Sequence, residues 1–167
     1  NTPKASKAYN RKWEHKDWDK NTPDLSVFNE MFRISKNQII WGGNYFDLPP
    51  SKFYILWDKQ IPAGLSFADC EMAWTSYDKA PKMFRYSSYR NKGEKVHPTQ
   101  KPPQLFDFCI EQTKDTLKIF DPFMGSGTTA ISAKSKGIEW CGTELEKDYC
   151  DIANKRLQKV QTSMFAF

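Results

Sequence analysis

Residues 120–129 read FDPFMGSGTT, and this stretch decides the fold. The run before it, LKIF (117–120), is short and apolar and predicts a strand. The run after it, GTTAISAKSKG (127–137), predicts a helix that ends at Gly137. Two glycines two residues apart between a strand and a helix are typical of a loop that cradles phosphate. Asp121 stands just ahead of these glycines, however, where its charge would repel a phosphate.

The alternation of strand and helix continues after this loop. IEWCG (138–142) is predicted as a second strand, and EKDYCDIANKRLQKV (146–160) as a helix with acidic residues in its first turn. Strands and helices that alternate at short spacing indicate a parallel sheet with helices on its faces. The predicted fold class is therefore α/β, Rossmann-like and doubly wound, with a mostly parallel sheet.

The glycines and the acids together restrict the ligand. GSGTTA (125–130) satisfies the pattern G-x-G-x-x-G/A, and Glu144 follows at about the distance expected for an acid that binds a ribose hydroxyl. A Walker loop is excluded because no lysine follows the second glycine. At about 4 Å, Asp121 would repel a pyrophosphate by several kcal/mol in a partly buried setting. S-adenosylmethionine (SAM) carries an ammonium, a sulfonium and an adenosine but no phosphate, so it meets this requirement; the alternative is a tight turn without a ligand.

The first half of the chain also mixes helices and strands. Residues 1–23 show no period and are predicted to be irregular, whereas residues 23–34 have apolar side chains at helical spacing. Short apolar or aromatic runs predict three buried strands at 37–46, 52–59 and 70–77, and a further helix is predicted at 103–114.

Charge is concentrated in one stretch of the chain. Residues 79–95 hold six cations and one acid, so they alone account for the net charge of +5. Residues 1–20 are basic as well, and both segments interleave aromatic residues with the charges. Cations that neutralise phosphates and rings that stack on bases are typical of a nucleic-acid surface, although a solvated basic loop is the alternative. We predict that 79–96 is a DNA-contacting loop with these candidate residues: Lys82, Arg85, Tyr86, Tyr89, Arg90 and Lys92.

Several classes of protein are disfavoured by composition. The sequence contains no run of 18 or more apolar residues, so it predicts no membrane span, and no segment of it resembles a signal peptide. The four cysteines show no CxxC spacing and the chain has two histidines, so no metal site is expected. Reduced cysteines in a cytoplasmic protein are the preferred interpretation.

Three motifs in this order resemble a known family. DPFMGSGTT is similar to the SAM-binding motif of the amino-methylating DNA methyltransferases, and GTELEKDYCDIANKRL resembles the segment that follows it. HPTQKP (97–102) resembles the motif that precedes the SAM loop in the β-type order of these enzymes. SKNQIIWGGNYF, FYILWDK and FADCEMAWTSYDK, in the middle of the chain, also resemble adenine-specific members common in phages and prophages.

The resemblance implies roles for individual residues. Glu144 would bind the ribose of SAM, and three residues of the motif before the loop would touch its methionine end. On residues alone, HPTQKP also fits a stiff, extended segment that only precedes a helix. The implied cofactor-binding residues are Asp121, Phe123, Gly125, Gly127, Thr128, Glu144, His97, Thr99 and Lys101.

The family's catalytic loop is the motif that we do not find. Amino-methyltransferases hold the target amine with a [D/N/S]-P-P-[Y/F/W] loop whose ring stacks on a flipped base. DLPPS (47–51) does not match, because no ring follows its prolines. We therefore expect this loop upstream of the present sequence and name no catalytic residue in this chain. Residues 1–167 would form a single methyltransferase domain, incomplete at its N-terminus, with 97–160 as its SAM-binding half.

The predicted function is site-specific DNA methylation of the kind found in restriction–modification systems and phages. Methyl would pass from SAM to the exocyclic amine of a flipped base in double-stranded DNA, with adenine N6 favoured over cytosine N4. The alternatives are a DNA-binding pseudoenzyme that lacks the catalytic loop, a dinucleotide oxidoreductase, and a methyltransferase acting on RNA or protein. A homodimer is left open, because β-type relatives often pair.

Overall fold

A computed structural model of the chain describes most of its residues, namely 22–62, 64, 67–87, 96, 99–114 and 116–161. The chain divides into two compact units, residues 1–93 and 94–167. The N-terminal basic segment lies outside the described residues, and so does most of the predicted DNA-contacting loop beyond residue 87.

The described part of the first unit contains one helix, four strands and a short 3-10 turn. In chain order these are α1 (Leu25–Ile34), β1 (Ile39–Trp41), the turn Gly43–Tyr45, β2 (Tyr54–Asp58), β3 (Cys70–Thr75) and β4 (Lys82–Arg85). The strands form one sheet in the order β1-β3-β2-β4. β3 runs antiparallel to both of its neighbours, whereas β2 and β4 are parallel.

Helix α1 begins where its sequence provides a cap. The Asp24 carboxylate accepts a hydrogen bond from the Ser26 backbone N–H at 2.8 Å, which satisfies one of the donors left free at a helix start. Hydrogen bonding with the Ser26 hydroxyl, and next with its backbone N–H, lowers the pKa of the Asp24 carboxyl. The predicted helix at 23–34 is confirmed, but the cap is Asp24 and Pro23 lies before it.

The core of the first unit is aromatic. Phe28, Ile40 and Trp74 are buried together, and the Trp74 indole N–H donates to the Pro49 carbonyl at 2.7 Å. β2 alternates as a half-buried strand should, with Ile55 turned fully inward. The tight packing explains one glycine, because a Cβ on Gly43 would lie 2.4 Å from the Trp74 Cβ.

The described part of the second unit alternates helix and strand. Its elements are α2 (Pro103–Gln112), β5 (Lys118–Asp121), α3 (Thr128–Ser135), β6 (Glu139–Gly142) and α4 (Lys147–Leu157). β5 and β6 are parallel neighbours, with Asp121 paired to Gly142 at their carboxyl ends. α3 packs against α2, α4 and both strands, and its small residues Ala130 and Ala133 are buried there. Gly137 has a φ of 70°, so the predicted glycine end of this helix is confirmed.

The structure confirms an α/β chain with parallel strand pairs and corrects two local predictions. The strand predicted at 37–46 ends at Trp41, because Gly42 turns the chain with a φ of 73°. The loop predicted at 79–96 is wrong over Lys82–Arg85, which pair in parallel with β2 at the edge of the sheet. No helix within the described ranges has both the length and the apolar character that crossing a membrane requires.

Candidate cofactor-binding site

The glycine loop joins β5 to α3 at the carboxyl edge of the parallel pair. β5 ends at Asp121, and α3 begins at Thr128. Gly125 and Gly127 have φ values of 52° and 79°, which other residues adopt only at a cost. In sheets of this kind, ligands bind outside the carboxyl ends of the strands. The fold therefore places the loop where a ligand site is expected.

Gly127 and Met124 of the loop pack closely on the rest of the unit. A Cβ on Gly127 would lie 2.9 Å from the Ala153 Cβ, so α4 approaches the loop at a point where no side chain fits. On β6, a Cβ on Gly142 would lie 2.7 Å from the Met124 Sδ. The loop is thus held against α4 on one side and β6 on the other.

Asp121 shapes the loop with its carboxylate. Oδ1 accepts from the Phe123 N–H at 3.0 Å, and Oδ2 accepts from the Thr129 hydroxyl at 2.6 Å. The acid ahead of the glycines therefore has a role in the protein itself. A carboxylate has about four acceptor positions, so these two bonds leave it able to accept from a ligand.

Glu144 holds the same loop from the end of β6. Its Oε2 accepts from the Gly125 N–H at 2.7 Å, and its Oε1 accepts from the Glu146 N–H at 2.9 Å. The side chain is half-buried. The two acids that the sequence singled out thus anchor successive parts of one loop.

The backbone donors of the loop are used inside the protein. The N–H of Met124 donates to the Thr143 carbonyl at 2.9 Å, and that of Gly127 donates to the Met124 carbonyl at 2.8 Å. With Phe123 and Gly125 bonded to the two acids, four amides of the loop already have protein acceptors. A phosphate-binding glycine loop instead points such amides at its ligand. This loop is therefore not arranged as a pyrophosphate cradle.

The side chains around the loop suit a cationic ligand with an apolar part. Phe123 is 57% exposed and Leu145 is 93% exposed, so both offer apolar surface to a ligand. They follow β5 and β6 at the edge where the carboxylates of Asp121 and Glu144 lie. Two acids and exposed apolar surface fit the ammonium, sulfonium and adenosine of SAM. Among the described residues, no cluster of His, Cys, Asp or Glu is placed to hold a metal ion.

The remaining predicted cofactor residues take no part in the hydrogen bonds given above for the carboxylates of Asp121 and Glu144. Thr128 is buried, and its hydroxyl lies 3.4 Å from the Arg156 guanidinium, so it contacts α4. Thr99 is exposed and Lys101 half-buried, just before α2. His97 lies outside the described residues.

The predicted DNA-binding residues begin on the edge strand β4. Lys82 and Arg85 are exposed, and the Arg85 Nε lies 3.7 Å from the Asp58 carboxylate at the end of β2. The rings of Phe84 and Tyr86 stack with centroids 5.9 Å apart and planes at 10°. The candidate DNA-binding residues did not include Phe84, although it is one of the aromatic residues interleaved with the charges, and the strand that carries it was not predicted. Three other candidates lie outside the described part of the chain, namely Tyr89, Arg90 and Lys92.

Sequence reasoning also missed two residues that hold the loop. Thr129 bonds Asp121, and Arg156 of α4 bonds the backbone and hydroxyl of Ser126. One signal was available for Arg156, because it falls on the helix face that is otherwise apolar and buried, with Tyr149 and Ala153.

Parallel strands, a glycine turn and acids at two strand ends define a Rossmann-like methyltransferase fold. The sequence pattern of a family described as DNA methylase matches residues 1–155. The chain therefore belongs to this family of SAM-dependent N6/N4 DNA methylases.

Curated relatives and a solved structure agree with this assignment. The chain is 32% identical to the type II methyltransferase M2.LlaDCHI of Lactococcus lactis subsp. cremoris, over 87% of this chain and 50% of that protein. It is 33% identical to the type II methyltransferase M2.DpnII of Streptococcus pneumoniae, over 84% of this chain and 49% of that protein. The chain thus spans about half the length of these relatives. It is also similar to the M1.HpyAVI–SAM complex, with a TM-score of 0.50 and 26% identity, over 80% of this chain and 68% of that one.

Proposed function

We propose that this chain is the SAM-binding part of a DNA methyltransferase that modifies the exocyclic amine of a flipped base, adenine N6 by preference. One observation carries the proposal. Two carboxylates, on Asp121 and Glu144, lie at the carboxyl edge of a parallel pair, and both bond a loop whose amides are engaged within the protein. Such a loop favours a cation over a phosphate. When bound, SAM supplies an activated methyl group.

The chain's own residues would bind and orient this cofactor. Asp121 would accept hydrogen bonds from its ammonium, and Glu144 would accept from its ribose hydroxyls. Phe123 and Leu145 would cover apolar parts of the adenosine and exclude water from them. The positions of Thr99 and Lys101, just before α2, are compatible with a role at the methionine end, and His97 belongs to the same proposal.

Catalysis requires a feature that this sequence does not contain. A poorly nucleophilic base amine must be held by a [D/N/S]-P-P-[Y/F/W] loop, and neither Pro-Pro pair here has that setting. We propose that the present chain binds SAM but does not transfer methyl groups unless a segment with this loop is added. A DNA-binding protein without methyltransferase activity is the second candidate, and the same missing motif favours it.

Isothermal titration calorimetry and a methyl-transfer assay test the SAM assignment and the proposed lack of transfer by this chain alone. The chain is expected to bind SAM and to ignore NAD, and to incorporate no tritiated methyl into duplex DNA. Binding of NAD in place of SAM would refute the cofactor assignment. Clear turnover by the chain alone would show that the catalytic group lies within it. Analysis of methylated bases formed by the complete protein separates adenine N6 from cytosine N4.

The edge strand β4 supports a second proposal, that its outer residues contact DNA. Lys82 and Arg85 are exposed cations, and the stacked rings of Phe84 and Tyr86 lie on the same short segment. Cations beside aromatic rings suit the backbone and bases of nucleic acid. Tyr89, Arg90 and Lys92 would extend this surface. A homodimer and a cytoplasmic location remain predictions from the sequence.

The double variant K82Q/R85Q is expected to bind duplex DNA roughly tenfold more weakly at moderate salt, because two phosphate contacts are lost. The slope of log affinity against log salt should fall by about one unit for each contact. Fluorescence anisotropy at several salt concentrations measures both values. Lys36→Gln, at an exposed lysine in the turn after α1, is the matched control and should leave the slope unchanged. Equal slopes for all three proteins would contradict the proposed DNA surface.

A further inference from the structure

Arg156 is a charged residue of α4 that reaches into the glycine loop. Its Nη1 donates to the Ser126 carbonyl at 2.5 Å and to the Ser126 hydroxyl at 2.9 Å. The Thr128 hydroxyl lies 3.4 Å from the same nitrogen. Three residues earlier on the same helix, Ala153 packs against Gly127. One face of α4 thus contacts the loop through packing and through a guanidinium.

The position of this cation is electrostatically unfavourable in two respects. Burial lowers the pKa of the Arg156 guanidinium, and arginine is protonated throughout in proteins, so a charge is held in a partly buried place. Its contacts, Ser126 and Thr128, lie at the N-terminus of α3, where the helix dipole disfavours a positive charge. The dipole of α4 does favour a cation in its last turn, but Lys155 already supplies a solvent-exposed positive charge in that turn. The burial of Arg156 therefore needs another reason.

Its contacts suggest that this reason is the shape of the loop. Ser126 lies between Gly125 and Gly127, which have φ values of 52° and 79°. Because glycine is conformationally permissive, these two residues alone do not hold the backbone around Ser126 in one conformation. The two carboxylates hold the amides of Phe123 and Gly125. Arg156 holds the carbonyl and hydroxyl of the residue between the glycines. Its charge-assisted bonds thus fix the part of the loop that the acids do not reach.

We propose that Arg156 is a positioning residue that keeps the glycine loop in its SAM-binding shape before the cofactor arrives. The inference rests on the proposed function for the identity of the ligand. Preorganisation reduces the ordering cost of binding, so the affinity for SAM depends on this guanidinium although it acts through Ser126.

Arg156→Met tests the proposal against Lys155→Met, which removes the same charge from the neighbouring, exposed position of the same turn. Calorimetry well below the unfolding temperature of each protein is expected to give about tenfold weaker SAM binding for R156M, since a charge-assisted bond is lost. K155M should bind as the unchanged protein does. Arg156→Lys keeps the charge and some of the donors, so its affinity should be intermediate. Equal SAM affinity in R156M and K155M would overturn the proposal.

Hydrogen exchange of the unliganded proteins separates positioning from a general loss of stability. The Gly125 and Gly127 amides should exchange faster in R156M, while the amides of β6 keep their rates. Faster exchange throughout the second unit would assign Arg156 to overall stability and overturn the positioning role. This measurement needs no ligand, so it still tests Arg156 if the chain proves not to bind SAM, in which case the proposed function fails independently. Loop-specific exchange combined with weaker SAM binding supports the proposal.

Discussion

Asp121→Asn is expected to weaken SAM binding by roughly 30- to 150-fold while the chain stays folded. Asparagine has nearly the same shape, and its carbonyl oxygen can still accept from the Phe123 N–H or the Thr129 hydroxyl. The substitution mainly removes the negative charge that we propose to attract the cofactor. A lost charge-assisted interaction costs about 2–3 kcal/mol, which corresponds to this change in affinity. Isothermal titration calorimetry measures the dissociation constant.

A comparison of two ligands identifies the charge that Asp121 recognises. S-adenosylhomocysteine lacks the sulfonium charge but keeps the ammonium that we propose Asp121 binds, so D121N should weaken the binding of both ligands by a similar factor. Asp47→Asn, at an exposed acid in the first unit, makes the same change of charge away from the loop and should leave both affinities unchanged. If D121N bound SAM as tightly as the unchanged chain, the electrostatic explanation of this site would be wrong.

Gly127→Ala is expected to lower the free energy of unfolding by about 2–5 kcal/mol and to abolish measurable SAM binding. An alanine at a φ of 79° costs about 1–2 kcal/mol, and its Cβ, 2.9 Å from the Ala153 Cβ, adds about 1–3 kcal/mol of overpacking. Urea denaturation measures the loss of stability. The loop must shift to relieve the contact, and the shift disturbs the position of both acids.

Gly64 offers a matched control for this substitution. It has a φ of 86°, but a Cβ there would meet no atom within 4 Å. Gly64→Ala should therefore lower the free energy of unfolding only by the cost of an alanine at positive φ, about 1–2 kcal/mol, and should leave SAM binding intact. Adding Ala153→Gly to G127A removes the opposing methyl group and should recover the free energy of unfolding lost to overpacking. This gain is reduced by about 1 kcal/mol, because glycine is unfavourable within a helix. Equal losses in G127A and G64A would show that the close approach of α4 does not matter.

Local patterns predicted the second unit well. β5, α3, β6 and α4 were all expected from hydrophobic runs, glycines and helix-end signals, which act over a few residues. β4 was not expected, because KMFR has little strand character by itself and gains its partner from β2, more than twenty residues earlier. Such an edge strand depends on tertiary pairing, which sequence periodicity does not report.

The sequence pointed to individual residues of the candidate site but not to the hydrogen bonds between them. Asp121 and Glu144 were selected as acids that face a ligand, yet their bonds to Phe123 and Gly125 require coordinates. Arg156 contacts Ser126 across 30 residues of sequence, so no short motif contains the pair. The sequence therefore located the two acids beside the loop, while the hydrogen bonds that give the loop its shape emerged only from the fold.

The internally bonded amides of the glycine loop have a consequence for selectivity in a crowded metabolite pool. ATP and dinucleotides present phosphate groups that bind most strongly to unpaired backbone N–H groups, and the N–H groups of Phe123, Met124, Gly125 and Gly127 are already engaged. Abundant nucleotides should therefore compete poorly for this site even before the acidic side chains repel them. Discrimination against the most common adenosine compounds would thus rest on the engagement of these amides, two of them by main-chain carbonyls and two by the carboxylates of Asp121 and Glu144.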